Sequence, residues 1–289
     1  MATPIGNLDD MSTRARDCLK QADFIAAEDT RVTKTLLRRL EIPPAKLISC
    51  HEHNESQRIN MILNRLRSGA SVVLVSDAGT PLMNDPGYQL VAAAIAEHIV
   101  VQCIPGPNAA VTALMVAGLP TDRFLVCGYL PRARSARLTA IQALRKEQAT
   151  LLLYESPHRI LSLLDDLLQD WGERKAALAR NLTKEDEHVY RGLLSEIAEE
   201  LRDQDRIWGE LTLVVDRAPP ERQTASDELI DCLIERLLRE GLLVRSVRNI
   251  VCDVFHLAKR DAYERVLQES KKQSASKEVT DAEQGEHEA

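Results

Sequence analysis

The sequence lacks the features of membrane-spanning proteins and of secreted, disulfide-rich proteins. No run of 18 apolar residues is present, and the N-terminus has neither the basic nor the apolar region of a signal peptide, so we expect a cytoplasmic protein without a membrane anchor. The six cysteines form no C-x-x-C pair, and several lie in apolar runs, as Cys103 does, which predicts buried, reduced thiols. Aromatic residues make up only 3% of the chain, which limits base stacking on aromatic rings.

Two ligand signatures are also absent. The G-x-G-x-x-G fingerprint of dinucleotide-binding folds is missing, because Gly6 is the only glycine near the N-terminus. His51 and His53 flank Glu52 without the i, i+4 spacing of a helical zinc pair. This spacing favours a loop that contacts solvent or substrate, and we expect no metal site.

The most informative segment that is present runs from Val72 to Tyr88, VVLVSDAGTPLMNDPGY. Its first four residues, Val72–Val75, predict a buried strand. The small residues that follow let backbone amides approach a ligand, and ligands of open α/β sheets bind where strands end. The turn is therefore a candidate site, although a turn from strand to helix uses glycine and proline in any case.

Predicted strands and helices alternate along the chain, which is typical of an α/β fold with a largely parallel sheet. With 289 residues, of which 44% are hydrophobic, the chain is long enough for two compact domains and a small appendage. The first domain, residues 1–130, is expected to contain strands at Phe24–Ala27, Leu47–Ser49, Val72–Val75, Val100–Ile104 and Phe124–Gly128, with helices at Ser12–Gln21, Thr33–Leu40, Ser56–Arg67, Gly87–Glu97 and Ala109–Ala117. The second domain, residues 131–220, is expected to contain strands near Leu151–Tyr154, Ala176–Arg180, His188–Gly192 and Leu211–Val215, with helices at Ala136–Lys146, Pro157–Gln169 and Ser195–Arg202.

The remaining residues predict a linker, a helical unit and a tail. Prolines and polar residues at 219–226 are typical of a linker. Residues 227–267 have the pattern of three helices, and the last two resemble half of a helix-turn-helix; a unit that only packs against the second domain is the alternative. Residues 268–289 contain no large apolar residue except Val279, so we expect a disordered tail.

Basic residues cluster although the net charge is −7. From Arg123 to Lys146 there are six basic residues and no acid, which favours an RNA-binding surface over an ordinary solvated one, because neutralised phosphates drive RNA affinity. Recognition is then expected to rest on shape and phosphate contacts. The candidate phosphate-binding residues are Lys34, Arg38, Arg132, Arg134, Arg137, Arg245, Arg248, Lys259 and Arg260.

Nine short segments occur in an order that resembles one known family. They are ATPIGN at 2–7, EDTR at 28–31, HEHNE at 51–55, SDAGTP at 76–81, IPGPN at 104–108, GLPTDRF at 118–124, YESPHR at 154–159, LTK at 182–184 and GE at 209–210. The ordered set is similar to the ribosomal RNA small subunit methyltransferase I family, which belongs to the tetrapyrrole methylase superfamily. The resemblance covers residues 2 to about 267, nearly the whole chain.

The resemblance implies a two-domain tetrapyrrole-methylase-like fold with a cofactor cleft between the domains and a small C-terminal helical unit. It also implies S-adenosylmethionine as the cofactor, a homodimer, and methylation of a cytidine ribose 2′-oxygen in the 16S RNA of the small ribosomal subunit. The residues then expected to bind the cofactor are Pro4, Asp77, Ala78, Gly79, Thr80, Pro81, Asn108, Ala109, Tyr154, Leu182 and Glu210.

Methyl transfer to a hydroxyl is helped by a base and by a cation beside the developing oxyanion. The candidates for these catalytic roles are Glu28, Asp29, Arg31 and Lys184, although pairs of carboxylate and arginine are commonly only structural.

The sequence departs from the family pattern at two places. The family has a first strand such as LYVVATPIGN, whereas Met1 stands directly before ATPIGN here, so we expect a central strand to be short or absent. The family's RELTK is RNLTK here, and Asn181 can replace the glutamate if that side chain only orients a neighbour, but not if it is catalytic.

Two other functions fit the same residues. One is a superfamily methyltransferase acting on a small molecule such as a tetrapyrrole. The other is a ribosome-assembly factor that binds RNA with weak or no catalysis.

Overall fold

Strands alternate with helices along the chain and form two separate sheets in the computed structural model. The structure describes residues 1–219, 227–255 and 257–285, with side chains as far as Lys272. Internal contacts divide the chain into two units, Met1–Pro219 and Pro220–Ala289. The strands of the first unit are β1 (Phe24–Ala27), β2 (Lys46–Ser49), β3 (Val72–Val75), β4 (Phe124–Tyr129), β5 (Thr150–Glu155), β6 (Lys175–Arg180), β7 (His188–Leu193) and β8 (Leu211–Val215).

The first sheet is parallel, in the order β2-β1-β3, as the alternation of strands and helices predicts. Ala27 pairs in register with both Ser49 and Val75, so the three strands end at the same edge. Glu28 and Asp77 follow two of these strands and therefore lie at the edge where ligands of open α/β sheets bind.

The predicted strand Val100–Ile104 is wrong, because that segment has no regular secondary structure. A strand needs a neighbour that satisfies its backbone groups. Met1 and Ala2 contact both β3 and this segment: the Met1 amino group donates to the Leu74 carbonyl at 2.9 Å, and the Ala2 amide donates to the Ile104 carbonyl at 3.2 Å. Two residues do not form a ladder, and the segment stays irregular.

The second sheet is mixed, in the order β4-β5-β8-β6-β7, so the expectation of a largely parallel sheet holds for the first sheet alone. β4 and β5 run parallel, but β8 lies antiparallel between β5 and β6, and β6 is antiparallel to β7. A short connection such as that between β6 and β7 returns the chain in the opposite direction, whereas a helical crossover restores the original one. Because β4 belongs to this sheet, the second sheet begins at Phe124, before the predicted domain boundary at residue 130.

Helices cover the sheets and form the second unit. They are α1 (Thr13–Gln21), α2 (Thr30–Arg39), α3 (Glu55–Arg67), α4 (Tyr88–Ala96), α5 (Ala109–Ala117), α6 (Arg134–Leu144), α7 (Ile160–Trp171), α8 (Leu194–Arg202), α9 (Asp227–Arg239), α10 (Val244–Phe255) and α11 (Lys259–Gly285). α2 begins at Thr30, three residues before the predicted Thr33, because Asp29 caps it by accepting a hydrogen bond from the Arg31 amide at 2.8 Å.

Helix α5 connects the N-terminal segment to the second sheet. Its small residues Ala110, Ala113 and Ala117 are buried, which lets the helix lie close to the strands beneath it. Ile5 and Leu182 join the same buried cluster. The segment around Ile5 is thereby anchored against the second sheet. Its neighbour Thr3 pairs with Gly79, in the turn that follows β3 of the first sheet.

The second unit consists of α9, α10 and α11 around a small apolar core, made of Ile230, Ile234, Val247, Val251, Ala262 and Val266. Most of the predicted linker, 220–226, and His256 in the short break that the sequence pattern predicts at His256–Ala258, between the last two helices, lie outside the described residues. α11 continues to Gly285, so the structure is helical from 268 to 285, where composition predicts disorder. Lys, Glu, Gln and Ala are strong helix formers and extend a helix whose first turns are packed; residues 286–289 are outside the described part.

The cysteines differ from the sequence expectation. Cys50 is buried, but Cys103 and Cys232 are exposed. Cys103 is exposed because the strand predicted around it does not form, and Val100 beside it is 81% exposed. Along the part of the chain that the structure describes, every helix is too short or too polar to cross a bilayer.

Candidate functional site

A cleft of about 500 Å³ opens where β1 and β3 end. Its lining residues are Thr3, Pro4, Ile5, Gly6, Leu8, Asp29, Arg31, Val32, Thr35, Leu36, Arg39, Asp77, Ala78, Lys184 and Glu210. Five of the nine sequence segments meet here, from 2–7, 28–31, 76–81, 182–184 and 209–210. The first sheet supplies Asp29, Asp77 and Ala78, and the loops of the second sheet supply Lys184 and Glu210, so the cleft lies between the two sheets.

The turn after β3 is held against the N-terminal segment by a two-way backbone pairing. The Thr3 amide donates to the Gly79 carbonyl at 2.8 Å, and the Gly79 amide donates to the Thr3 carbonyl at 3.0 Å. Gly79 has a φ of +75°, which glycine adopts without strain. Gly79 is buried and fixes the turn, whereas its neighbours Asp77 and Ala78 line the cleft.

The N-terminal segment also touches the loop that follows β6. The Asn7 amide donates to the Thr183 hydroxyl at 3.1 Å. A Cβ on Gly6 would lie 2.9 Å from the Leu182 carbonyl oxygen, so only glycine permits this approach. Lys184 extends from the same loop and forms an ion pair with Glu210 at 3.1 Å across the cleft wall.

Asn181 orients the loop that carries Glu210. The side chain is buried, its amide nitrogen donates to Asp186 at 2.6 Å, and its oxygen accepts from the Glu210 amide at 2.9 Å. An asparagine suits both partners, because it donates to a carboxylate and accepts from an amide; a glutamate would set two carboxylates against each other. Asn181 also has a φ of +52°, which asparagine tolerates well, and Gly209 leaves the space that its side chain fills. Asn181 is therefore a positioning residue in this chain and does not itself line the cleft.

Carboxyl groups gather at the edge of the first sheet. The Glu28 carboxylate accepts a hydrogen bond from the Asp77 amide at 3.3 Å, and Asp77 accepts one from the Asp29 amide at 2.9 Å. Burial raises the pKa of Glu28, of Asp77 and of Asp85, and neighbouring carboxylates add to each rise. Asp29 differs, because its hydrogen bonds with Arg31 lower its pKa to about 2. Glu28 and Asp77 are thus better proton acceptors than Asp29.

Sequence reasoning missed Asp85. It stands eight residues after Asp77, in the same segment, and its charge acts on the pKa of Glu28, Tyr129 and Tyr154. The signal was available in the NDPGY end of that segment, but nothing in one sequence shows that this loop folds back towards the carboxyl cluster.

Several residues expected to bind the cofactor do not line the cleft. The Thr80 hydroxyl donates to the Pro107 carbonyl at 3.0 Å, and Asn108 caps α5 by accepting from the Val111 amide at 3.0 Å. Leu182 is buried with Ile5. Those outside the lining are Gly79, Thr80, Pro81, Asn108, Ala109, Tyr154 and Leu182, whereas Pro4, Asp77, Ala78 and Glu210 line it.

The basic stretch from Arg123 to Lys146 is only partly accessible to RNA phosphates. Arg137 is 5% exposed, and Asp166 on α7 holds its guanidinium at 2.8 and 2.7 Å. The prediction that Arg137 contacts RNA is therefore wrong. Asp166 also accepts from Arg134 at 3.0 Å, although that side chain stays 66% exposed, and Arg132 is exposed. The absence of acids between Arg123 and Lys146 gave a wrong expectation for Arg137, because the acid that neutralises it, Asp166, lies on another helix.

The other predicted RNA-binding residues lie on exposed surfaces. Lys34 and Arg38 of α2 are exposed and do not line the cleft. In the second unit, Arg248 donates to Asn249 and Arg260 pairs with Glu264 at 3.2 Å. The remaining two, Arg245 and Lys259, are exposed.

Comparisons with known proteins agree with this architecture. The family model of tetrapyrrole (corrin/porphyrin) methylases matches residues 2–198. The chain is similar to proteins named ribosomal RNA small subunit methyltransferase I: 46% identical to that of Micromonospora olivasterospora over 91% of this chain and 84% of the relative, and 39% identical to that of Escherichia coli O157:H7 over 92% and 93%.

Two solved structures share the fold. The methyltransferase CobJ aligns with a TM-score of 0.56 at 20% identity, over 75% of this chain and 92% of that one. The uroporphyrin-III C-methyl transferase of Thermus thermophilus, complexed with S-adenyl homocysteine, aligns with a TM-score of 0.50 at 17% identity, over 74% and 94%.

Proposed function

Because the chain belongs to the tetrapyrrole methylase family, among the relatives of ribosomal RNA small subunit methyltransferase I, we propose that it methylates a cytidine ribose 2′-oxygen in 16S ribosomal RNA with S-adenosylmethionine as the cofactor. The observation that carries the proposal is the cleft, where five separated segments bring desolvated carboxyl groups and cationic side chains to one place. The substrate is RNA of the small ribosomal subunit, and the enzyme acts in the cytoplasm.

The residues of the cleft fit this cofactor. S-adenosylmethionine carries positive charge on its sulfur and its amino group, and the Glu28, Asp77 and Asp85 carboxyl groups are partly desolvated and repel one another. Asp77 lines the cleft itself, whereas Glu28 and Asp85 lie outside its lining and act on the cleft through their charge. A cationic ligand relieves that repulsion. Asp77, the exposed backbone at Ala78, Pro4 and Glu210 would hold the cofactor.

The chain contributes positioning, a proton acceptor and a cation to the chemistry. When bound, the cofactor would supply a methyl group to a nucleophilic oxygen aligned with its carbon–sulfur bond, with neutral S-adenosylhomocysteine as the leaving group. Asp77 lines the cleft and accepts the ribose hydroxyl proton, because burial raises its pKa whereas the pKa of Asp29 is lowered. Glu28 lies outside the lining, and its carboxylate accepts a hydrogen bond from the Asp77 amide, so it positions Asp77. Lys184 lines the cleft as the cation that faces the developing oxyanion. Arg31 holds Asp29 in place.

RNA contacts outside the cleft are assigned to the exposed basic residues. The exposed ones are Arg132, Arg134, Arg245, Lys259 and Arg260, and Arg248 is half-buried. A homodimer is also part of the proposal, and exposed apolar side chains such as Tyr88, Val100 and Met115, each more than 70% exposed, offer it a surface.

The position of the methyl group tests the proposed function. The protein is incubated with labelled cofactor and small-subunit RNA, and the RNA is hydrolysed with alkali. A 2′-O-methyl group removes the hydroxyl that attacks the neighbouring phosphate, so we expect the label in an alkali-resistant dinucleotide that contains cytidine. A transcript with 2′-deoxycytidine throughout is the control and should stay unlabelled.

Three results would contradict the proposal. Label in a base would place the reaction elsewhere on the nucleotide. Label in an added tetrapyrrole but not in RNA would identify the small-molecule alternative. RNA binding without any transfer would identify an assembly factor.

The raised pKa values of Glu28, Asp77 and Asp85 predict that the preference of the protein for S-adenosylmethionine over S-adenosylhomocysteine depends on pH. Ionised carboxylates increase as the pH rises above about 4 through the raised pKa values of Glu28, Asp77 and Asp85. The sulfonium of S-adenosylmethionine gains from this ionisation, whereas the neutral sulfur of S-adenosylhomocysteine does not. We therefore expect calorimetry to show that the ratio of the two affinities, methionine form over homocysteine form, rises as the pH increases above the ordinary carboxyl range of about 4. Asp77→Asn should flatten this rise, and a constant ratio in the unaltered protein would show that these carboxyl groups do not face the sulfur.

A further inference from the structure

One wall of the cleft is a face of helix α2. Arg31, Thr35 and Arg39 are four residues apart and line the cleft, as do Val32 and Leu36 beside them. Residues four apart on a helix lie on the same face, so these side chains form two adjacent rows. One row is cationic at both ends, and the other is aliphatic.

The opposite face of α2 packs into the protein. Thr33 and Leu37 are buried, and Leu37 belongs to the core of the first sheet. The helix is therefore fixed in orientation, and its cleft face is a rigid wall.

The cationic row is shaped by two contacts near the start of the helix. Asp29 holds the Arg31 guanidinium while 88% of that side chain remains exposed. The Thr35 hydroxyl donates to the Arg31 carbonyl at 3.1 Å, which turns its polar group back to the helix. Arg39 is exposed at the far end, and no ion pair joins it to any residue that the structure describes.

The aliphatic row matches a nucleobase. Val32 is 40% exposed, although it is apolar, and Leu36 and Leu8 line the cleft next to it. Apolar side chains sandwich an extruded base when aromatic rings are scarce. Arg31 and Arg39 are eight residues apart, about 12 Å along the helix, so one cation lies at each end of the aliphatic row.

We propose that this face of α2 binds the acceptor nucleotide of the RNA, with the base against Val32 and Leu36 and the adjacent phosphate on Arg39. The inference rests on the proposed function and extends it, because it assigns the nucleotide to one wall of the cleft. Lys34 and Arg38, the residues of this helix that the sequence singles out for RNA, lie outside the cleft lining and do not make this contact.

The test compares alanine replacements of three basic residues on the same helix. Arg39→Ala removes the proposed phosphate contact, whereas Arg38→Ala and Lys34→Ala remove the same charge from outside the cleft. Binding of a fluorescent single-stranded RNA from the small subunit is measured across a salt series, and cofactor binding is measured by calorimetry. We expect Arg39→Ala to weaken RNA binding about tenfold at low salt and to reduce the log–log salt slope by about 0.7. Arg39→Lys should retain the slope.

A second variant tests the base contact. Val32→Asp places a carboxylate on the aliphatic row at an exposed position, where the fold tolerates it. We expect RNA affinity to fall, because a carboxylate repels phosphates and does not pack against a base, and cofactor affinity not to fall, because an added negative charge in the cleft does not oppose a cationic ligand.

Two outcomes would overturn the inference. If Arg38→Ala or Lys34→Ala lowers affinity and salt slope as much as Arg39→Ala, the phosphate path follows the outer face of α2. If Arg39→Ala and Val32→Asp both bind RNA as the unaltered protein does, the acceptor nucleotide lies on another wall. In either case the unaltered protein still labels the alkali-resistant dinucleotide, so a failure here is distinct from a failure of the proposed function.

Discussion

Gly79→Val is expected to lower cofactor affinity by at least about 100-fold, because small displacements of ligand-positioning groups carry losses of that size. Gly79 has a φ of +75°, a conformation that a β-branched residue cannot hold without strain of about 1 to 3 kcal/mol. An added Cβ would also press on Ile5 at 3.3 Å. Relief of this strain turns the peptide, breaks the pairing with Thr3, and moves Asp77 and Ala78 at the cleft surface.

Gly69→Val provides the matched control. Gly69 has a φ of +87°, and a Cβ there meets nothing within 4 Å, so the substitution carries similar backbone strain away from the cleft. Calorimetry with the cofactor and thermal unfolding are measured for both variants. We expect similar losses of stability and a loss of cofactor binding in Gly79→Val alone. Equal cofactor affinity in the two variants would remove the turn after β3 from the cofactor site.

Asp166→Ala is expected to destabilise the protein by about 3 to 5 kcal/mol. The Asp166 carboxylate is 2% exposed and holds Arg137 at 2.8 Å and Arg134 at 3.0 Å. Its removal leaves the Arg137 guanidinium buried without a counter-charge, whereas Arg134 can turn to solvent. The loss should appear as a lower denaturation midpoint without a change in the denaturant slope.

The neighbouring residue gives the control. Asp165 pairs with Arg202 on the surface, where both side chains are about half exposed, so Asp165→Ala should cost less than about 1 kcal/mol. The two substitutions remove the same group one residue apart, but Asp166 is buried and holds the buried Arg137, whereas Asp165 and its partner are both exposed. A loss in Asp166→Ala no larger than in Asp165→Ala would mean that water reaches Arg137, which would return that residue to the RNA-binding candidates.

Segments with strong local signals were predicted well. The run Val72–Val75 is a strand, with the expected turn after it, because four consecutive apolar residues followed by small ones have few alternative conformations. Motif order was equally informative, since it identified the family and the cofactor before any contact was known. The segment Val100–Ile104 has an equally strong strand pattern, but a strand also needs a pairing partner, and pairing is not visible in its own residues.

The sequence by itself determined the family, the alternation of strands and helices, and the chemical groups available to the site. The tertiary structure alone decided which of these groups meet. It paired Arg137 with an acid 29 residues away, placed Asn181 as a bridge between Asp186 and the Glu210 amide, and turned Arg39 rather than Arg38 into the cleft. The physical reason is that charge, burial and hydrogen bonding act between neighbours in space, and those neighbours come from other strands and helices. A pattern along the chain shows the groups, but their pKa values and partners are properties of the packed fold.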